Sequence, residues 1–186
     1  MNNKVKRMVG IGVFCAIVVV LQYIFGGITI GGTSINPVLV PVVVGAAIYG
    51  WQAGAILGLV SGAAILLISP PSFFYGINFV GTIITVLVKG SVSGLVAGLA
   101  YRLISRRNKF IAVLTAAILC PLVNTGLFLA GCYVFFLDGL VAGAAGGNFF
   151  VYLITTMVGV NIFVELGINV VLSPAITRLI RIGTKG

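Results

Sequence analysis

The feature that most constrains this chain is a succession of apolar stretches that fills it from residue 8 to residue 172. Several of these stretches approach or exceed the ~20 residues that a helix needs to cross the ~30 Å hydrocarbon core of a bilayer. Only 7% of the residues are charged, whereas a soluble domain carries roughly 25%. The pattern predicts an all-α integral membrane protein in which residues 1–186 form a single membrane domain.

Polar, glycine-rich and proline-containing connections divide this apolar sequence into six predicted transmembrane helices. The N-terminus MNNKVKR precedes an apolar run as in a signal peptide, but further spans follow, so the run is interpreted as a retained first helix. Only GWQAG separates the second and third spans. This segment is therefore either two separate helices or one bent helix. The predicted spans cover about residues 8–25, 38–49, 53–68, 79–101, 110–136 and 149–172.

The basic residues predict the orientation of these helices. Of the 11 lysines and arginines, all except Lys89 lie in three clusters, at the N-terminus, between spans four and five, and at the C-terminus. The positive-inside rule assigns such clusters to the cytoplasmic side of the cell membrane. An even number of predicted spans separates the clusters, so both termini are expected in the cytoplasm. The longer connections, rich in glycine, serine and aromatic residues, are then expected outside.

The scarcity of reactive side chains argues against an enzyme. The chain has no histidine, and its only acids are Asp138 and Glu165. Hydrolases and transferases need a positioned base, an activated nucleophile or a metal held by several ligands. The sequence also lacks a phosphate-binding Gly-x-x-x-x-Gly-Lys-Ser/Thr loop and a Cys-x-x-Cys pair. We therefore expect no metal, no cofactor and no ATP site, and a membrane enzyme acting on lipid is disfavoured.

Lys89 is the charged residue that this composition does not explain, because it lies inside the fourth predicted span. An ionisable residue within a bilayer is costly unless it is paired or hydrated, which makes it a functional hypothesis. The helical rise places Lys89 ~15 Å from the outer end of its span, and Glu165 ~25 Å along span six. Lys89 is expected either to form a structural ion pair with Glu165 or to face a cavity and bind an anionic ligand.

Further polar and aromatic residues lie toward the predicted outer half of the bundle. Asn124 follows Pro121 by three residues, where proline frees backbone groups that a polar side chain or a ligand can satisfy. The SPPSFFYGIN connection is interpreted either as a lid over a site or as a plain connector. The residues predicted to bind a small polar ligand are Lys89, Asn124, Asn148, Tyr152, Asn78, Tyr75 and Phe74.

Small residues recur at four-residue spacing in three predicted spans. Such faces let helices in lipid approach closely and gain dispersion contacts. Most are expected to pack within the bundle, whereas the face on the terminal first helix is assigned to another protein. The three faces are Gly54, Gly58 and Gly62; Gly90, Gly94 and Gly98; and Gly12 with Ala16.

The sequence resembles the substrate-binding S component of energy-coupling factor (ECF) vitamin transporters. The resemblance lies in its short length, its basic N-terminus, INPVLVPVVVGAAIYGWQAGAILGLVSG in spans two and three, and LCPLVNTGLFLAG in span five. It implies a six-helix protein that captures one vitamin in an outward-facing pocket. It also implies an energizing module of one membrane coupling protein and two ATPases, which docks on an Ala-x-x-x-Ala-like face of span one. Gly12 and Ala16 occupy the matching positions.

Pantothenate is the substrate that suits this combination of residues best. Lys89 would bind its carboxylate, Asn124 and Asn148 its amide and hydroxyl groups, and Phe73, Phe74 and Tyr75 would cover its gem-dimethyl group. Riboflavin, pyridoxine-type vitamins, nicotinate and folate remain open. The main alternative function is a free-standing secondary transporter or channel in which Lys89 and Glu165 form a proton or ion relay.

Overall fold

The computed structural model describes residues 3–26, 29–30, 33–34, 37–137, 139–140 and 159–183. Within them the chain consists of helices, short connections and one antiparallel pair of two-residue strands, in which Thr29 is opposite Ser34. The expectation of an all-α protein is confirmed. The elements are α1 (Asn3–Phe25), β1 (Thr29–Ile30), β2 (Thr33–Ser34), α2 (Leu39–Tyr49), α3 (Trp51–Ile68), α4 (Ser72–Ile77), α5 (Phe79–Ile104), α6 (Lys109–Phe135) and α7 (Gly159–Gly183).

Four of the described helices are long and apolar enough to cross a membrane: Lys4–Phe25, Trp51–Ile68, Phe79–Ile104 and Lys109–Phe135. They correspond to predicted spans one, three, four and five. Helix α2 has 11 residues, which at 1.5 Å per residue reaches only ~16 Å. The predicted sixth span is described from residue 159 onward and contains a shorter apolar helix, Ile162–Pro174. The count of six crossings stays a prediction.

Helices α2 and α3 form a hairpin rather than one bent helix. They meet at Gly50, whose φ of 92° is one that glycine adopts without steric cost. The two helices then pack side by side, because a Cβ added at Gly45 of α2 would meet the side chain of Leu57 of α3. The two-helix interpretation of this segment is therefore correct.

Hydrogen bonds at both ends align α1 with α3. Near one end, Arg7 Nη2 donates to Gln52 Oε1 at 3.2 Å. Near the other, the buried Gln22 donates from Nε2 to Ser69 Oγ at 2.7 Å. The two helices therefore run parallel, with the basic N-terminus of α1 beside the start of α3.

Helices α3 and α5 pack backbone against backbone where two of the predicted glycine faces meet. A Cβ added at Gly58 would lie 2.6 Å from the carbonyl carbon of Gly90, and one added at Gly62 would lie 2.8 Å from Val86 O. Because the neighbouring atoms are backbone, the helices can approach this closely only without side chains. Ser91 Oγ also donates to Ala55 O at 3.3 Å across the pair. The prediction that these faces pack within the bundle is confirmed.

A second side of α5 packs against α6, and an apolar core joins α2, α5, α6 and α7. Buried side chains from all four helices meet there, among them Val43, Ala97, Ala116 and Ile176. Asn108 begins α6 by accepting from Phe110 N at 2.9 Å and Ile111 N at 3.2 Å, as an N-cap residue does. Helix α5 therefore packs against α3 through a glycine contact and against α6 through a different face.

Candidate functional site

Lys89 belongs to a polar stripe along the side of α5 that faces α6. Thr85, Lys89 and Ser93 are spaced by four residues, which aligns them on one face of the helix. A Cβ added at Gly131 of α6 would meet the Thr85 side chain. Lys89 Nζ lies 4.9 Å from the centroid of the Phe128 ring, and Ser93 lies near Cys120. The stripe thus follows α6 in antiparallel register.

Helix α6 presents its own four-residue stripe to α5, formed by Cys120, Asn124, Phe128 and Cys132. The ammonium group of Lys89 over the Phe128 ring is a cation–π contact, worth roughly 0.5–2 kcal/mol depending on desolvation. Buried polar atoms flank it: Asn124 Oδ1 and Thr85 Oγ1 have no hydrogen-bond partner in the described part of the chain. A cation and two unsatisfied buried acceptors therefore lie within about one helical turn of each other.

Helix α7 contributes a third polar stripe, Glu165, Asn169 and Ser173, with exposed fractions of 4%, 0% and 1%. Asn169 Nδ2 donates to Glu165 O at 2.8 Å, and Ser173 Oγ donates to Asn169 O at 2.9 Å. Asn169 Oδ1, like the acceptors on α5 and α6, has no partner among the described residues. The carboxylate of Glu165 attracts the ammonium group of Lys89 electrostatically. The three stripes together form what we call the polar seam.

The short helix α4 covers the α5–α6 end of this seam with aromatic rings. The Phe74 centroid lies 5.4 Å from that of Phe128 and 5.0 Å from that of Phe136, both in edge-to-face geometry. Phe73 packs edge-to-face on Phe74 at 5.3 Å and is half exposed. Phe74 thus contacts the same ring that lies under the Lys89 ammonium group. A residue of the connection interpreted as a lid therefore packs beside the predicted ligand residue Lys89.

Two other predicted ligand residues have structural partners. Asn78 Oδ1 caps the N-terminus of α5 by accepting from Gly81 N at 2.8 Å. Tyr75 packs on Phe79, with ring centroids 5.0 Å apart, and its hydroxyl donates to Leu66 O of α3 at 3.5 Å. Both side chains therefore secure the corner between α4 and α5. Asn148, Tyr152 and Asp138 lie outside the described residues, so the predicted roles of Asn148 and Tyr152 stay predictions.

The predicted partner face on α1 points away from the described bundle. Gly12 and Ala16 are exposed, and a Cβ at Gly12 would find nothing within 4 Å. The inward side of α1 is separate from this face, with Val18 and Gln22 fully buried. No described residue outside α1 therefore covers the small-residue face at Gly12.

Sequence reasoning missed Thr85, Phe128 and Asn169 as members of the seam. Thr85 is four residues before Lys89, and Asn169 is four after Glu165. That spacing was a usable signal, because residues four apart share a helix face. Phe128 carried no such signal, since its position under Lys89 depends on the register between α5 and α6.

The family model described as ECF transporter, substrate-specific component matches residues 6–177. No curated protein and no solved structure matches the chain. The chain belongs to the ECF transporter substrate-specific component family, as the resemblance indicated. It is thus a membrane transporter subunit rather than an enzyme, and its role in the transporter is to capture a substrate.

Proposed function

We propose that this substrate-specific component captures an anionic vitamin that carries hydrogen-bond donors, with pantothenate as the best candidate. The observation that supports this most is the Lys89 ammonium group over Phe128, with the unsatisfied oxygens of Thr85 and Asn124 one helical turn away along α5 and α6. A buried acceptor without a partner costs about 1–3 kcal/mol. A ligand that brings a carboxylate to Lys89 and donors to these oxygens satisfies all three groups at once.

The chemistry of the seam favours pantothenate over the other vitamins. Nicotinate offers a carboxylate but no hydrogen-bond donor for Thr85 and Asn124. Riboflavin and pyridoxine offer donors but no carboxylate for Lys89. Folate offers both, but it also carries a large flat ring. Pantothenate has a carboxylate, an amide N–H and hydroxyl groups, and its gem-dimethyl group suits the rings of Phe74 and Phe128.

The remaining predicted ligand residues have two proposed roles. Asn148 and Tyr152 complete the site from the outer part of the sixth predicted span. Asn78 and Tyr75 keep the α4–α5 corner in place, so that Phe74 stays over Phe128. This division follows the hydrogen bonds of Asn78 and Tyr75, whose partners are Gly81 N and Leu66 O.

We further propose that the protein works with an energizing module of one membrane coupling protein and two ATPases. The Gly12 and Ala16 face of α1 is the proposed contact with the coupling protein, supported by its exposure. Both termini lie in the cytoplasm, where the basic clusters meet the anionic leaflet. ATP is hydrolysed by the partner subunits.

The decisive experiment is a binding screen of the detergent-purified protein against pantothenate, riboflavin, pyridoxine, nicotinate and folate. Thermal shift identifies the binder, and isothermal titration calorimetry gives its Kd. Submicromolar binding of pantothenate with much weaker binding of nicotinate is expected. Tighter binding of nicotinate would show that the acceptors do not select donors, and no binding by any vitamin would refute vitamin capture.

A free-standing secondary transporter with a Lys89–Glu165 relay is the second candidate, and the electrostatic interaction of these residues favours it. Uptake into proteoliposomes separates the two functions. Uptake that needs co-reconstituted coupling protein, ATPases and ATP supports the ECF mechanism. Uptake by this chain alone, driven by a proton gradient, supports the relay.

A further inference from the structure

Phe128 contacts two of the side chains to which a role in substrate capture is proposed. The ammonium group of Lys89 lies over its ring, with Nζ 4.9 Å from the centroid. Phe74 of α4 packs on the same ring in edge-to-face geometry, with centroids 5.4 Å apart. Phe73, whose centroid is 5.3 Å from that of Phe74, is half exposed. A continuous series of contacts therefore leads from the surface of α4 to the cation on α5, and Phe128 is its central member.

The ring of Phe128 is anchored by a buried apolar cluster that continues from the end of α6. The members of this cluster are Cys132, Phe136 and Leu140, and Phe128 packs against them. Phe74 packs against the same cluster, and its ring centroid lies 5.0 Å from that of Phe136. Aromatic pairs in this geometry gain more than their buried area alone provides. Phe128 therefore has anchoring contacts that do not depend on Lys89.

Lys89, by contrast, has a flexible side chain in a position where its charge is costly. Its ammonium group is carried by a flexible four-carbon stem, and such a group within a bilayer turns toward the water at the membrane surface where its stem allows. Side chains of an α-helix tilt toward the helix N-terminus, which for α5 is the end capped by Asn78. Without a contact on α6, the ammonium group is expected to move toward this end. The face of an aromatic ring attracts a cation, so Phe128 opposes this movement.

We propose that Phe128 is a positioning residue for substrate capture, because its ring holds the Lys89 ammonium group at the α5–α6 interface before the substrate arrives and connects that group to Phe74 of α4. The inference rests on the proposed function, since it needs a substrate anion at Lys89. A group that is already in place at the site loses less conformational freedom on binding, which favours affinity. Because Phe74 packs on the same ring, loss of the cation from Phe128 also changes the surroundings of α4.

The first test uses no substrate and reports on the connection to α4. The full chain carries para-fluorophenylalanine in place of Phe74, and its fluorine NMR signal is recorded in detergent. Lys89→Met should shift this signal by more than its linewidth, because the Phe128 ring adjusts against Phe74 when the cation is gone. In a Phe128→Leu background, Lys89→Met should leave the signal unchanged. An unshifted signal in Lys89→Met, an equal shift in the Phe128→Leu background, or an equal shift of a control label at Phe79 of α5 would overturn the proposal.

The second test weakens the cation–π contact while the shape of the ring is kept. Replacing Phe128 by a trifluorinated phenylalanine removes most of the negative potential of the ring face, and calorimetry then gives the Kd of pantothenate. We expect this Kd to rise by about 2- to 30-fold, the range that corresponds to the strength of a cation–π contact. In Lys89→Met the same replacement should have no effect. The matched control is the trifluorinated replacement of Phe136, which also packs edge-to-face on Phe74 but is not the ring under Lys89.

An unchanged or lower Kd after fluorination of Phe128 would overturn the proposal. An equal effect of fluorination at Phe136, or an undiminished effect in Lys89→Met, would overturn it as well, because either result would show a role in packing alone. These results leave the substrate assignment intact, since wild type binds pantothenate in each of them. If wild type does not bind pantothenate, the substrate assignment fails, and the NMR result alone decides the role of Phe128.

Discussion

The backbone contact between α3 and α5 predicts that Gly58→Ala destabilises the protein, although alanine is normally the better helix former. An added Cβ would lie 2.6 Å from the carbonyl carbon of Gly90, whereas ordinary contact begins at 3.4 Å. The helices must therefore separate by at least about 0.8 Å. Overpacking costs about 1–3 kcal/mol, and alanine recovers up to ~1 kcal/mol of helix propensity. A net loss of about 1–2 kcal/mol is expected.

The matched control is Gly126→Ala in α6. This glycine is also inside a long helix, but a Cβ there would meet nothing within 4 Å. Only the propensity gain applies, roughly 0.5–1 kcal/mol. A difference of about 2 kcal/mol between the variants corresponds to about 4–8 °C in Tm for a chain of this size. Thermal unfolding in detergent measures it, and equal or higher stability of Gly58→Ala would refute the close approach of α3 and α5.

The same substitution should also weaken substrate capture. Lys89 directly precedes Gly90, so a displacement of α5 moves the ammonium group relative to the Phe128 ring of α6. We therefore expect a higher vitamin Kd in Gly58→Ala than in Gly126→Ala. Loss of stability with an unchanged Kd would show that the position of α5 does not control the site.

Three further predictions concern the site and the partner face. Replacing Lys89 by Met should cost about 2–5 kcal/mol of binding free energy, the usual loss when one partner of a buried charge pair is removed. Calorimetry measures this loss, and an unchanged Kd would show that Lys89 has a structural role and does not bind the substrate. Phe74→Ala should raise the vitamin dissociation rate in stopped-flow experiments more than Phe73→Ala, because Phe74 contacts Phe128; equal rates would contradict a lid centred on Phe74. Gly12→Ile should reduce co-purification with the coupling protein while Gly126→Ile retains it, and equal recovery would exclude this face of α1.

Helix positions follow from the sequence where hydropathy and capping residues agree. Spans predicted at 79–101 and 110–136 are helices Phe79–Ile104 and Lys109–Phe135. Asn78 and Asn108 cap their N-termini, and asparagine before an apolar run is a recognisable start signal. Helix α1 begins at Asn3 rather than near residue 8, because lysine and arginine are good helix formers. The six-residue α4 is too short for a periodic pattern and was not predicted.

The candidate site is only partly predictable for a different reason. Lys89 is identifiable because a charge inside a span is costly wherever the helix packs. Its neighbours depend on how α5 and α6 are aligned, and hydropathy does not determine that register. The glycine spacing did identify the face of α5 that meets α3, and Lys89 lies off that face. The sequence therefore indicates that Lys89 lies off the side of α5 that packs on α3. It does not indicate that Lys89 contacts Phe128.

The two faces of α5 also allow a prediction of which part of the described bundle would move if substrate binds at Lys89 as proposed. On the α3 side, Gly58 and Gly90 bring backbone against backbone, and packed interfaces of this kind do not deform gradually. On the other side, Lys89 and Phe74 both meet the single ring of Phe128, and aromatic side chains can change partners by small rotations. Entry of a ligand between Lys89 and Phe128 therefore requires displacement of α4 or α6 rather than separation of α3 from α5. If substrate binds at Lys89 as proposed, we expect helices α3 and α5 to stay in place while the aromatic rings of α4 and α6 move.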